Sequence, residues 1–137
     1  MAIFIFAPNA SKTSGIDYTI ADQFISLPGP LWAFTGGPKE EITNLIIAKA
    51  IELHIDSDLL VRIAQCESGL RIDAKNTLSS ASGLFQFLTS TFISQSLAYG
   101  LPIDDKNDPE IQIELAARMI ADGKIGHWRA SFQCWSK

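Results

Sequence analysis

The chain contains no run of apolar residues near the ~18 that a membrane-spanning helix requires. It also lacks any lysine or arginine cluster. Eleven basic residues against 15 acidic ones leave a net charge of −4, the wrong sign for gripping a nucleic-acid backbone. Cysteine and histidine are scarce, with two of each. Cys66, Cys134, His54 and His127 stand in no CxxC or HxxxH spacing, so the ligand set of a zinc site is missing. So few histidines leave no Ser–His–Asp arrangement to defend. No internal repeat or low-complexity tract is visible. The segment Gly83-Leu84-Phe85-Gln86 lacks the repeated glycines and the lysine of a phosphate-binding loop.

The remaining composition is that of one globular domain. A chain of 137 residues with 47% hydrophobic and 19% charged residues can bury a real core. It does not have the low hydrophobicity and high net charge that keep a chain disordered. The two cysteines are far apart. They read as a disulfide tying a helix end to the C-terminal tail, or as two separate buried thiols. A bridge closing so long a loop would contribute about 3–5 kcal/mol and would imply an oxidising compartment.

Residues 1–37 differ from the rest. Pro8, Pro28, Pro30 and the Gly36–Gly37 pair oppose a long helix. The segment reads as an arm or leader remnant, with Trp32 and Phe34 as anchors on the domain. The apolar run Ala2–Ala7 has no positive charge before it, so it does not make a complete secretory signal. It reads equally as the tail of a leader cut near Ala7 or Ala10, as a strand, or as a segment foreign to the domain.

Residues 38–137 read as helices. Pro38 suits a first turn, and Glu40 and Glu41 complement the helix dipole there. Ile42, Leu45, Ile46 and Leu53 supply an apolar face through about Leu53, interrupted by Lys49. Asp56 or Ser57 caps a second helix, Asp58 to Ser68, which Gly69 ends. Residues 70–82 are small and polar, a loop or an irregular hairpin. Thr89 caps a third helix running to about Tyr99. Asp108 and Pro109 start a fourth, whose Ile111, Leu115 and Met119 recur every fourth residue. A short last helix is predicted over Trp128 to Phe132. The fold class is all-α, a compact helical domain.

Glu67 is the residue with the clearest chemical promise. It follows Ile63 by four and Leu60 by seven, so all three share a helix face. A carboxyl held against apolar surface has its charged form disfavoured and its pKa raised, the condition for a general acid near neutral pH. The plainer alternative is a carboxylate at a helix end that reaches solvent. Ser68 can orient a neighbouring carboxylate. Gly83 permits close backbone approach, and Gln86 offers an amide to a polar ligand.

Taken together, these segments form a longer pattern. Gln65-Cys66-Glu67-Ser68-Gly69-Leu70, then Ala74, then Gly83-Leu84-Phe85-Gln86-Phe87, then Thr89-Ser90-Thr91-Phe92 resembles the catalytic region of the soluble lytic transglycosylase family. Phe85 stands where that family's Gly-Leu-Met-Gln motif has methionine. Asp108-Pro109-Glu110, Gln112-Ile113 and Ala116-Ala117 are similar to its later helix, and the ending Trp128 to Trp135 to the tail of small secreted members. The resemblance covers about residues 40–135.

It implies a lysozyme-like fold of the goose type and an enzyme of peptidoglycan, acting on its glycan strands in the periplasm or outside the cell. It implies cleavage of the β-1,4 bond between N-acetylmuramic acid and N-acetylglucosamine. Glu67 would protonate the leaving oxygen, then act as base on the muramoyl 6-hydroxyl, giving a 1,6-anhydro sugar. By the same match Ser68 would hold the carboxyl, Gly83, Phe85 and Gln86 would line the sugar cleft, and Cys66 would be bridged to Cys134. No metal or organic cofactor is implied, and a monomer is expected. With a charge of −4, recognition of the wall would rest on cleft hydrogen bonds and stacking.

One departure stands out. Many members carry a Tyr-Asn near the C-terminus whose tyrosine contacts the catalytic carboxyl, whereas the only tyrosines here are Tyr18 and Tyr99. Trp128 is either an aromatic wall in its place or a core residue. A goose-type lysozyme hydrolase is therefore an alternative, and it would want a second carboxylate, for which Asp73 and Asp104 are the candidates. A noncatalytic wall-binding module is another. Retention of Glu-Ser with Gly-Leu-x-Gln favours the enzyme, because a binder has no need of a desolvated acid.

Overall fold

Helix starts fall where the chain offers a proline or a capping aspartate. A computed structural model describes residues 37–137. The arm expected over residues 1–37, with Trp32 and Phe34, lies outside them save for Gly37. Pro38 opens α1, Pro38–Glu52. The Asp56 side chain accepts from the Leu59 N–H at 3.1 Å and so starts α2, Ser57–Ser68. That helix ends at Gly69, which is left-handed at φ 63°. The Asp108 carboxylate accepts from the N–H groups of Glu110 and Ile111, and Pro109 opens α4, Pro109–Ala121.

Two starts differ from the sequence expectation. In α3, Thr89–Tyr99, Thr89 is the first helical residue rather than the cap. The capping oxygen comes from the preceding loop, where Ser80 Oγ accepts from the Thr89 N–H at 3.2 Å. The predicted last helix is instead a 3-10 segment, Ile125–Ser131, kinked at Trp128, followed by α5, Phe132–Trp135. The kink accompanies burial of the indole, whose Nε1 donates to the Phe85 carbonyl at 3.0 Å.

The core is built from faces that the apolar spacing marks out. Ile42, Ile46 and Ala50 of α1 meet Leu60, Ile63 and Ala64 of α2 and the buried residues of α4. Leu45 is the exception on α1, left 38% exposed. α4 is buried well beyond its Leu115 and Met119 stripe: Gln112, Ile113, Ala116 and Ala117 are inaccessible as well. A helix covered on most of its circumference is a central one. Lys49, which interrupts the α1 face, reaches across to Glu114 of α4 at 2.5 Å and to Glu52 at 2.7 Å. The pair with exposed Glu52 adds at most about 1 kcal/mol, whereas Lys49 and Glu114 are both mostly covered and link α1 to α4 beside the apolar contacts.

Residues 70–88 form an irregular hairpin with bridges between Lys75 and Ser82 and between Ser82 and Phe87. Its rings close the core: Phe85 and Phe87 pack edge-on to Trp128 at 6.1 and 5.6 Å between centroids. This hairpin and the C-terminal tail flank the end of α2, where Glu67 sits. Among the described residues, no helix is long and apolar enough to cross a membrane.

Candidate active site

Glu67 lies one residue before the end of α2, on the face that begins with Leu60 and Ile63. Its carboxyl is half-buried and opens into a cleft of about 280 Å³. Asn76, Gln86, Thr91, His127 and Trp128 are among the residues that line it. Burial pushes the carboxyl pKa above the ordinary glutamate range, opposed by one hydrogen bond from the Ser131 hydroxyl. That hydroxyl donates to Glu67 Oε1. Glu67 Oε2 has no protein partner among the described residues. A carboxyl so placed can hold a proton near neutral pH and deliver it into the cleft.

The tail that carries Ser131 is fastened to α2 by two links and braced by a third contact within itself. The Cys66–Cys134 disulfide joins them, with Cα atoms 6.0 Å apart. Arg62 Nε donates to the Trp135 carbonyl at 3.1 Å. Trp135 Nε1 donates to the Trp128 carbonyl at 3.0 Å. Ser131 is the functional residue that sequence reasoning missed. Its only signal was its place in the Trp128 to Trp135 ending, since nothing local ties it to a glutamate 64 residues earlier.

The other sequence-derived site residues divide into two groups. Gln86 lines the cleft in a left-handed conformation, φ 51°. Its Nε2 donates to the carbonyls of Ala74 and Gly83 at 3.2 and 2.9 Å. Both amide hydrogens are thereby used, which leaves Oε1 as an acceptor for a ligand hydroxyl or N–H. Phe85 contributes to the cleft floor, while its ring, 1% exposed, belongs to the core. Trp128 likewise is a buried core residue with one edge on the cleft.

Ser68 and Gly83 stand behind the cleft. The Ser68 hydroxyl donates to the Ala64 carbonyl at 3.0 Å and accepts from the Arg71 N–H at 3.3 Å. The carboxyl's partner is thus Ser131, not Ser68. Gly83 does permit a close approach, but of Gln112 rather than of a ligand. A Cβ there would fall 2.0 Å from Gln112 Nε2, and its φ of 82° is itself in the left-handed region.

Gln112, inaccessible on α4, fixes the turn that presents Gln86. Its Oε1 accepts from the Phe85 N–H at 2.9 Å, and its Nε2 donates to the carbonyls of Ser82 and Lys106 at 3.1 and 2.6 Å. Gln112→Leu strands three backbone groups at once, at about 1–3 kcal/mol for each that stays buried and unpaired. We expect a loss of about 2–4 kcal/mol in urea unfolding; a loss below 1 kcal/mol would mean that the turn holds without it.

Neither candidate for a second carboxylate reaches the cleft. Asp73 is exposed and lines a separate groove beside α1, and Asp104 is also exposed. Among the described residues, Glu67 is the only acid lining the cleft. No cluster of His, Cys, Asp and Glu among them is suited to hold a metal ion.

The profile of the transglycosylase SLT domain family matches residues 44–128, more than half of the chain. Two similar proteins from Staphylococcus aureus, of strains MRSA252 and Newman, are each named probable transglycosylase SceD. They are 41% identical over 73 and 70 residues, or 53% and 50% of this chain. The match spans about a third of their own length, 32% and 30%. No solved structure matches the chain.

Proposed function

Because the chain belongs to the transglycosylase SLT domain family, we propose that it is a peptidoglycan lytic transglycosylase with Glu67 as its single acid and base. The reaction is cleavage of the β-1,4 bond between N-acetylmuramic acid and N-acetylglucosamine. The observation that carries this reading is the cleft with one carboxyl. A glycosidase that uses water normally places two carboxyl groups about the scissile bond, whereas a nucleophile belonging to the substrate removes the need for the second.

The steps follow from the site. Protonated Glu67 delivers its proton from Oε2 to the glycosidic oxygen as the bond from the anomeric carbon to that oxygen breaks. The resulting carboxylate takes the proton of the muramoyl 6-hydroxyl, and that oxygen bonds to the anomeric carbon. The muramoyl end leaves as a 1,6-anhydro sugar, no water is consumed, and Glu67 regains its proton. Burial among apolar groups supplies the proton affinity that the first step needs. Gln86 Oε1 and Trp128 contact the sugar, and Ser68 and Gly83 support the end of α2 and the hairpin turn from behind. The disulfide suits the oxidising envelope or extracellular space where this substrate lies.

Digestion of purified peptidoglycan, with the soluble muropeptides identified by mass spectrometry, tests the reading. Anhydro-muropeptides are expected, each lighter by one water than its hydrolysed counterpart. Reducing-end muropeptides would make the protein a lysozyme. No release from several wall types would make it a binding module.

A further inference from the structure

The second oxygen of a catalytic carboxyl has to be controlled as closely as the first. A carboxylic acid can carry its proton on either oxygen, yet only one of Glu67's oxygens can serve the cleft. Oε1 accepts the Ser131 hydroxyl. Among the described residues Oε2 has no hydrogen-bond partner, and it is not a buried orphan, since Ser96 Oγ is the one such atom among them. Oε2 therefore faces the open cleft.

The Ser131 hydroxyl has one hydrogen to give and two acceptors within reach, Glu67 Oε1 and the Trp128 carbonyl, the latter at 3.1 Å. Trp135 Nε1 already donates to that carbonyl at 3.0 Å, which weakens its claim on a second donor. A charge-assisted bond to a carboxylate is also the stronger of the two.

We propose that Ser131 is a positioning residue that keeps Glu67 Oε1 a hydrogen-bond acceptor and so confines the transferable proton to Oε2. This rests on the acid and base role of Glu67 stated above. During proton delivery, Oε1 is the carbonyl oxygen of the acid and accepts from Ser131. After delivery, Oε1 carries part of the carboxylate charge and accepts from it still. The bond persists while the proton leaves and returns at Oε2, so the carboxyl need not rotate between the two steps. The Cys66–Cys134 bridge, three residues beyond Ser131, holds the hydroxyl on α2.

Other charges do not share this control. The titratable side chains on the neighbouring tail and hairpin are His127, Arg129, Lys137, Arg71, Asp73 and Lys75. Of these only His127 lines the cleft. None sets the proton affinity of Glu67, which burial raises and the Ser131 bond lowers.

The test is a carbon-13 NMR titration of the Glu67 side-chain carboxyl in the wild type, Ser131→Ala and Ser131→Thr, with muropeptide release measured on the same samples. In the alanine variant Glu67 should titrate at higher pH than in the wild type, because a bond favouring the charged form is gone. Its kcat should fall roughly 10–100-fold with KM little changed, and the alkaline limb of its pH profile should move upward. Threonine, which keeps the hydroxyl, should restore both readouts. An alanine variant that titrates and turns over like the wild type would overturn the proposal. The titration needs no substrate, so it stands even if the wild type releases nothing from peptidoglycan, an outcome that would count against the enzymatic reading alone.

Discussion

Glu67→Gln is expected to abolish release of muropeptides while leaving a folded and more stable protein. The loss should be at least the ~10²–10⁴-fold that a positioned acid and base contributes, because the proposed mechanism uses one side chain in both steps. Glutamine keeps an Oε1 that can accept from Ser131, so the cleft is preserved and only the proton is missing. The stability gain follows from linkage. Burial raises the folded-state pKa of Glu67 above its unfolded value, with the Ser131 bond offsetting part of the rise. The stability tied to the protonated group is fully present below the unfolded pKa and is lost as pH rises through the folded one. The charged carboxylate is thus a cost at pH 7 that glutamine removes. Relieving a site of this kind commonly yields about 0.5–2 kcal/mol. Urea unfolding at pH 7 and at pH 4 is the check: the variant should lead at pH 7 and lose most of that lead at pH 4. A variant less stable than the wild type at pH 7 would show that the carboxylate is held there by favourable contacts, contrary to a desolvated acid.

Removing the disulfide has the second large effect. Cys66→Ser with Cys134→Ser opens a loop spanning 68 residues, for which loop-closure entropy gives about 4 kcal/mol and measured losses run about 2–5 kcal/mol. For a domain near 100 residues that corresponds to a fall in Tm of roughly 10–25 °C. Activity should fall as well, at a temperature where the variant is still folded. The bridge joins the residue before Glu67 to the tail that bears Ser131, so releasing it loosens the hydroxyl from the carboxyl. What remains is the Arg62 bond to the Trp135 carbonyl, which reaches across from α2, and the Trp135 indole bond to the Trp128 carbonyl, which braces the tail itself. Calorimetry beside a muropeptide assay separates the two effects. A Tm loss without any change in turnover at 20 °C would show that these two contacts suffice to place Ser131.

The readable parts of this chain are those governed by neighbours in sequence. Asp56, Asp108 and Pro109 mark helix starts because a capping carboxylate acts on N–H groups two or three residues away. Gly69 marks an end because the left-handed residue is strained for a side chain. The Leu60, Ile63, Glu67 spacing puts the acid against apolar surface because helix geometry repeats every 3.6 residues. Where a partner came from elsewhere, the local signal misled. Thr89 looks like a cap, but Ser80 supplies the oxygen. The last helix is displaced and split because Trp128 is drawn under Phe85 and Phe87.

The site divides along the same line. The sequence by itself determined that a glutamate would end an apolar helix face, that a glycine would allow a close approach in the following turn, and that the fold would be helical with a bridge available to its tail. These depend on residue type and on spacing within a few positions. Only the tertiary structure decided that Ser131 rather than Ser68 holds the carboxyl, that Gly83 makes room for Gln112 rather than for a ligand, and that Asp73 and Asp104 stay out of the cleft. Each of these is a contact or a separation across tens of residues, set by how α2, α4, the hairpin and the tail pack. A hydrogen bond between side chains 64 positions apart leaves no period and no cap in the sequence, because its energy acts only once the chain between them has folded.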